Sequence, residues 1–215
     1  MIATTEITGV VLAGGRGRRM GGEDKGWVEL AGRPLIEHVL ARLRPQVGAL
    51  VISANRHLPR YRGYGVPVVA DSEPDFPGPL AGALAAMRVA TTPWLLLSPV
   101  DTPWLPLDLC RRLAQAAEQA DIVVVHDGER LQPLTALVRT SLEADLARWL
   151  ESGAGRVLDF YQGHRWCQVD FADRRASFAN LNTPQERERA ERSPGGRAER
   201  VEMRVRDQGR NEGER

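Results

Sequence analysis

Ile7-Thr-Gly-Val-Val-Leu12, running straight into Ala13-Gly-Gly-Arg-Gly-Arg-Arg-Met-Gly-Gly-Glu-Asp24 and then Lys25, decides the fold class of this 215-residue chain. The first six residues read as a buried strand, because the apolar run shows no polar alternation on either face. The stretch from Leu12 to Asp24 holds five glycines and three arginines, and Lys25 follows at once. Glycine lets backbone N–H groups approach a polyanion with no side chain in the way, while the cations neutralise charge that amides match only in part. A strand that empties into such a loop outlines a phosphate site.

Two standard phosphate loops can be tested against it. A Walker A loop needs Gly-Lys-Ser/Thr after its spacer, but here Glu23 follows Gly22 and Gly26 follows Lys25. The dinucleotide fingerprint Gly-x-Gly-x-x-Gly, counted from Gly15 and Gly17, meets Met20 where its third glycine belongs. Both fail. What remains resembles the opening loop of nucleotidyltransferases that activate a phosphorylated small molecule with a nucleoside triphosphate.

Outward from this loop, short β-rich runs alternate with helical patterns. Pro34 to Leu43 has apolar Leu35, Val39, Leu40 and Leu43 at helical spacing; strands are expected at Ala49 to Ala54 and Val66 to Ala70. Pro79 to Arg88 reads as a helix whose small residues allow close approach to a sheet or ligand, and Trp94 to Ser98 as a central strand covered on both faces. Leu107 to Ala117 carries one apolar stripe, Ile122 to Val125 and Leu134 to Val138 read as strands, Leu142 to Leu150 as a helix face, and Trp166 to Phe171 as a late strand. The expected architecture is α/β: one domain over 1–192, an open, mostly parallel twisted sheet with helices on both faces. Ser193 to Arg215 holds 11 charged residues out of 23 and is expected to be a disordered tail.

Composition narrows the function classes. With 29 basic and 28 acidic residues the formal net charge is +1, so no global field recommends nucleic acid or an anionic membrane. Cys110 and Cys167 form no Cys-x-x-Cys pair, which fits reduced thiols in the cytoplasm. His38, His57, His126 and His164 lie too far apart for the usual metal-ligand spacings. No apolar run approaches the roughly 18 residues of a membrane span, and Met1 to Glu6 lacks a basic leader. A cytoplasmic, soluble monomer is expected.

In open α/β sheets ligands bind beyond the carboxyl ends of the strands, and the polar clusters fall there. Trp94 to Ser98 runs into Pro99-Val-Asp-Thr-Pro103, which puts Asp101 where a Mg²⁺ on triphosphate oxygens needs a hard ligand; a plain turn aspartate is the other reading. Val66 to Ala70 ends in Asp71, ahead of a rigid loop through Gly78-Pro79 to Gly82. Ile122 to Val125 ends in His126-Asp-Gly-Glu-Arg130, and Arg156 and Ala179-Asn-Leu-Asn-Thr-Pro184 follow. Thr183, Pro184 and Glu186 fit a helix cap, whereas Asn180 and Asn182 read either as turn formers or as ligand contacts.

Taken together, Leu12-Ala-Gly-Gly15 with Arg18-Arg-Met-Gly-Gly22 and Asp24-Lys25, the segment Asp71 to Gly82, Pro99-Val-Asp-Thr-Pro103, Val125 to Arg130 and Asn180-Leu-Asn-Thr-Pro184 resemble the molybdenum cofactor guanylyltransferases, over about Thr8 to Arg189. The resemblance implies a Rossmann-like nucleotidyltransferase that joins GMP from GTP to the phosphate of the molybdenum-loaded pterin and releases pyrophosphate, with Mg²⁺ required. It carries GTP contacts to Leu12, Ala13, Gly14, Gly15, Lys25, Ser53, Asp71 and Asp101, makes Lys25 and Asp101 catalytic, and makes Asp101 the metal ligand. Arg156, Asn180 and Asn182 are the expected pterin contacts, and Arg16, Arg18 and Arg19 could assist on phosphate. Ser53 stands where the family commonly has asparagine, with fewer hydrogen-bonding groups and shorter reach. The implied partners are the two substrates, with transient contact to other cofactor-synthesis proteins or acceptor molybdoenzymes. A cytidylyltransferase, which shares the opening loop, and a nucleotide-binding regulator without chemistry are the alternatives.

Overall fold

The structure, a computed structural model, describes residues 2–14, 24–71, 78–153, 155–181 and 186. Seven strands form one sheet: β1 (Ile7–Leu12), β4 (Ala49–Ser53), β5 (Val68–Val69), β6 (Trp94–Pro99), β7 (Ile122–His126), β8 (Leu131–Arg139) and β9 (Trp166–Asp170). Two further short strands, β2 (Glu29–Leu30) and β3 (Arg33–Pro34), pair with each other as a separate hairpin. The order in the large sheet is β5-β4-β1-β6-β8-β7-β9. All neighbours run parallel except β8, which is antiparallel to both β6 and β7.

Alternation along the strands explains the two layers, because successive side chains leave a strand on opposite faces. Ile7 and Val11 of β1, with Trp94 and Leu96 of β6, join one core under α1 (Leu35–Leu43) and α4 (Leu109–Ala116). Val10 and Leu12, with Leu95 and Leu97, join the other under α3 (Pro79–Val89), α5 (Glu143–Glu151) and α6 (Val157–Gln162). α2 (Leu58–Arg62) follows β4 and packs Tyr61 into the first core. Six of the seven strands match expected ones to within two residues or so, and the sheet is α/β and mostly parallel as expected.

Three elements differ from the sequence reading in informative ways. The helix from Pro34 begins at Leu35, because Pro34 belongs to the β2–β3 hairpin and pairs with Glu29. Val66 to Ala70 shrinks to a two-residue strand at the sheet edge, where Pro67 has no N–H to give a ladder and its carbonyl alone accepts from Ile52. β8 is longer than expected and reversed, since it follows β7 through a tight turn.

The order reverses beside β1: the chain goes outward through β4 and β5, then returns to place β6 on the other side. Loops leaving β1 and β6 therefore diverge there and open a crevice.

Candidate active site

Leu12 of β1 lies level with Pro99 of β6, so the chain leaves the sheet side by side at Ala13 and Val100. Val100 N–H donates to the Leu12 carbonyl at 3.1 Å, and Ala13 N–H to the Ser53 carbonyl at 2.8 Å, which extends the ladders one step beyond the strands. Beyond these ends is a cleft of about 880 Å³. Leu12, Ala13, Gly14, Lys25, Ser53, Asp71 and Asp101 all line it. Gly15, with Arg16, Arg18 and Arg19, lies outside the described residues.

Lys25 and Asp101, 76 positions apart, meet here: Lys25 Nζ donates to Asp101 Oδ2 at 2.8 Å. Asp101 is held through its own backbone, since its carbonyl accepts from Leu181 N–H at 2.9 Å. Leu181 in turn is buried with Val28, Leu30 and Leu35 in a small core beneath the β2–β3 hairpin. That anchor brings Asn180 into the cleft lining. The Asn180 Oδ1 is buried without a hydrogen-bond partner in the protein, so it can accept from a ligand.

On the opposite wall, Asn55 joins two loops. Its Nδ2 donates to Asp71 Oδ2 at 2.7 Å, and its Oδ1 accepts from Asp71 N–H at 2.9 Å. Asp71 Oδ1 is buried and unpartnered. Burial raises the Asp71 carboxyl above its ordinary value, with the Asn55 bond acting against it. Ser53 is almost fully buried at the floor, and a Cβ on Gly82 of α3 would fall 2.3 Å from its hydroxyl oxygen. Glycine at 82 is thus what lets α3 approach the end of β4.

The antiparallel strand supplies four more lining residues. Val124 pairs with Ala136 but Val125 pairs with Gln132, so Pro133, Leu134 and Thr135 bulge out of the ladder. All three line the cleft, with Gln132. Asp127 organises the turn: its Oδ1 accepts from Glu129 and Arg130 N–H, and its Oδ2 from Gln132 Nε2 at 2.6 Å. Burial pushes the Asp127 carboxyl up, but these donors outweigh it and hold the group below its ordinary value. Tyr161 of α6, fully buried, donates its hydroxyl to the Pro133 carbonyl at 2.8 Å from behind.

Gln132 to Thr135, Asn55 and Arg56 are lining residues that the sequence reading missed. One signal was present: Asp127-Gly128 between two apolar runs marks a hairpin, and a hairpin returns the start of β8 to the rim that β7 leaves. Gly128 has φ 94°, as that turn requires. Asn182 lies outside the described residues. Arg156 precedes α6, its side chain 88% exposed and paired with Asp159 at 3.3 Å, and it is not among the lining residues.

The profile of the MobA-like NTP transferase domain matches residues 9–166. A molybdenum cofactor guanylyltransferase of Cupriavidus pinatubonensis is 50% identical over 190 residues, 85% of this chain and 95% of that protein. Among solved structures, molybdopterin-guanine dinucleotide biosynthesis protein A of Archaeoglobus fulgidus superposes with a TM-score of 0.70 at 25% identity, covering 86% of this chain and 96% of that one. The 2-C-methyl-D-erythritol 4-phosphate cytidylyltransferase of Thermus thermophilus shares the fold at a TM-score of 0.66 and 20% identity, over 87% and 98% of the two chains. The family match over residues 9–166, with 50% identity sustained across most of both chains in the Cupriavidus relative, shows that the chain belongs to the MobA-like NTP transferase family.

Proposed function

We propose that the chain transfers GMP from GTP to the phosphate of the molybdenum-loaded pterin cofactor, releasing pyrophosphate. It is a nucleotidyltransferase, and the guanylyltransferase names of its relatives support the choice of guanine. The observation that carries the reading is the meeting of Lys25 and Asp101 at the β1–β6 crevice, where a cation and an acid serve one phosphate chain.

The attacking oxygen belongs to a phosphate monoester with a second pKa of about 6, so at neutral pH it is already ionised and no enzyme base is required. The protein has three tasks: to hold two anions together, to align the attacking oxygen with the departing pyrophosphate, and to spread developing charge. Ala13 and Gly14 present backbone to the phosphates, and Lys25 supplies positive charge. Asp101 is the residue to hold Mg²⁺. Among the described residues no three His, Cys, Asp or Glu side chains cluster, and a single hard carboxylate suits an ion whose remaining ligands are phosphate oxygens and water. When bound, that ion would neutralise charge on the phosphate groups.

The acceptor is assigned to the later half of the rim, between the Pro133–Thr135 bulge and Asn180, because the β1–β4 half is taken by the nucleotide. Asn180 Oδ1, buried and unpartnered, supports this, and Asn182 is proposed beside it from the sequence alone. Arg156 remains a candidate for the acceptor's phosphate only if its pairing with Asp159 gives way. No helix among the described residues is long and apolar enough to cross a membrane. Two free thiols favour a reducing compartment, the cytoplasm, and a monomer is proposed.

Mixing protein, the loaded pterin and either Mg-GTP or Mg-CTP tests the reading. Pyrophosphate release with GTP and little with CTP is expected. Preference for CTP would make the chain a cytidylyltransferase, and binding of GTP without release would make it a regulator.

A further inference from the structure

Lys25 opens a single helical turn, Lys25–Trp27, capped by Asp24, and Asp24 is the first described residue after the glycine loop. One oxygen of Asp24 takes two hydrogen bonds: from Gly26 N–H at 3.1 Å and from the Tyr61 hydroxyl at 2.6 Å. Tyr61 comes from α2 and is fully buried. Its ring lies 4.8 Å from Trp27, which Tyr64 stacks against at 5.9 Å and Arg60 covers at 3.7 Å. The fit around the hydroxyl is close: a Cβ on Gly26 would fall 2.1 Å from Tyr61 Oη. Burial and the Asp24 carboxylate both push the phenol up, so it stays a donor.

These contacts bear directly on Lys25. Its side chain has four rotatable carbons, so the ammonium is only as well placed as the backbone beneath it. The α2 contacts hold that backbone, while Lys25 Nζ reaches Asp101 at 2.8 Å.

We propose that Tyr61, acting through Asp24, is a positioning residue that sets Lys25 on the nucleotide's phosphates. The inference rests on the reading of the chain as a guanylyltransferase in which Lys25 stabilises transferring charge. Electrostatic stabilisation needs groups placed before the reaction, and misplacement of about 1 Å by a distant change can cost roughly 100-fold in rate.

The test is a double-mutant cycle on pyrophosphate release from Mg-GTP and the loaded pterin, using wild type, Tyr61→Phe, Lys25→Ala and the double variant, each checked for folding by circular dichroism. Tyr61→Phe is expected to lower kcat/KM by about 10–100-fold in the wild-type background. In the Lys25→Ala background it should add nothing, since the group it positions is gone. A wild-type rate for Tyr61→Phe, or the same fold loss in both backgrounds, overturns the proposal and leaves Tyr61 a packing residue. Should Tyr61→Phe not fold, Asp24→Ala breaks the same bond from the partly exposed side and is run through the same cycle, with the same two outcomes. If Lys25→Ala itself transfers at the wild-type rate, the role assigned to Lys25 falls instead.

Discussion

At Lys25 and Asp101 an ion pair of 2.8 Å joins two residues far apart in sequence at the cleft. Lys25→Ala and Asp101→Asn should each slow transfer by roughly 10²–10³, the scale of one lost preorganised contact. They should differ in metal response: a neutral amide is a poorer ligand for a hard cation, so a titration of rate against Mg²⁺ should shift to higher concentration for Asp101→Asn. An unshifted curve removes Asp101 from the metal. Gly82 offers a purely steric prediction. Its missing Cβ leaves room for the Ser53 hydroxyl, 2.3 Å from where that carbon would sit. Gly82→Ala should therefore cost about 1–3 kcal/mol by overpacking. Adding Ser53→Ala should restore part of it, as read by denaturant unfolding.

The β7–β8 hairpin is the element whose shape most affects the cleft. Its turn depends on Asp127, which accepts three hydrogen bonds, and its bulge presents Pro133 to Thr135 to the ligand space. Asp127→Ala should destabilise the protein by about 2–3 kcal/mol, as expected when donors lose a charged acceptor, and weaken use of the acceptor substrate more than GTP binding. The depressed Asp127 carboxyl adds a pH signature. A carboxylate held below its ordinary value contributes stability above that value, 3.8, and the contribution is lost as pH falls through the lower folded value. Acid titrations of unfolding should show this loss in wild type and a flatter profile in Asp127→Ala. Equal profiles would mean that the turn does not depend on the charge.

Across the whole molecule, the cleft divides at the switch point beside β1. The residues proposed for the nucleotide lie mainly on the β1, β4 and α3 side, and the β8 bulge lies beyond β6. Asn180→Ala should raise the KM for the pterin while GTP affinity, measured by calorimetry, stays close to normal. Lost GTP binding with normal pterin use would put Asn180 on the other substrate. The charged segment from Ser193 is proposed, from its composition, to contribute little to the domain. Truncation after Arg192 should leave activity and melting temperature nearly unchanged, and a large fall in melting temperature would show that the segment docks.

Much of this was legible in residues 7–25, 71 and 99–101, because strand periodicity and a glycine-rich loop are local properties of the chain. An apolar run must be covered on both faces, and whatever follows it must emerge at a strand end; that alone puts Leu12 to Gly14 and Asp101 on one rim. Which residues share the remaining space was decided only by tertiary contacts. The reversal of β8, the bulge at Pro133, the Asn55 link to Asp71 and the Tyr61 bond to Asp24 each join positions whose proximity depends on how separate elements pack. Sequence periodicity reports the face a residue takes on its own element, whereas contact across elements depends on pairing direction and register, which no single strand or helix carries by itself.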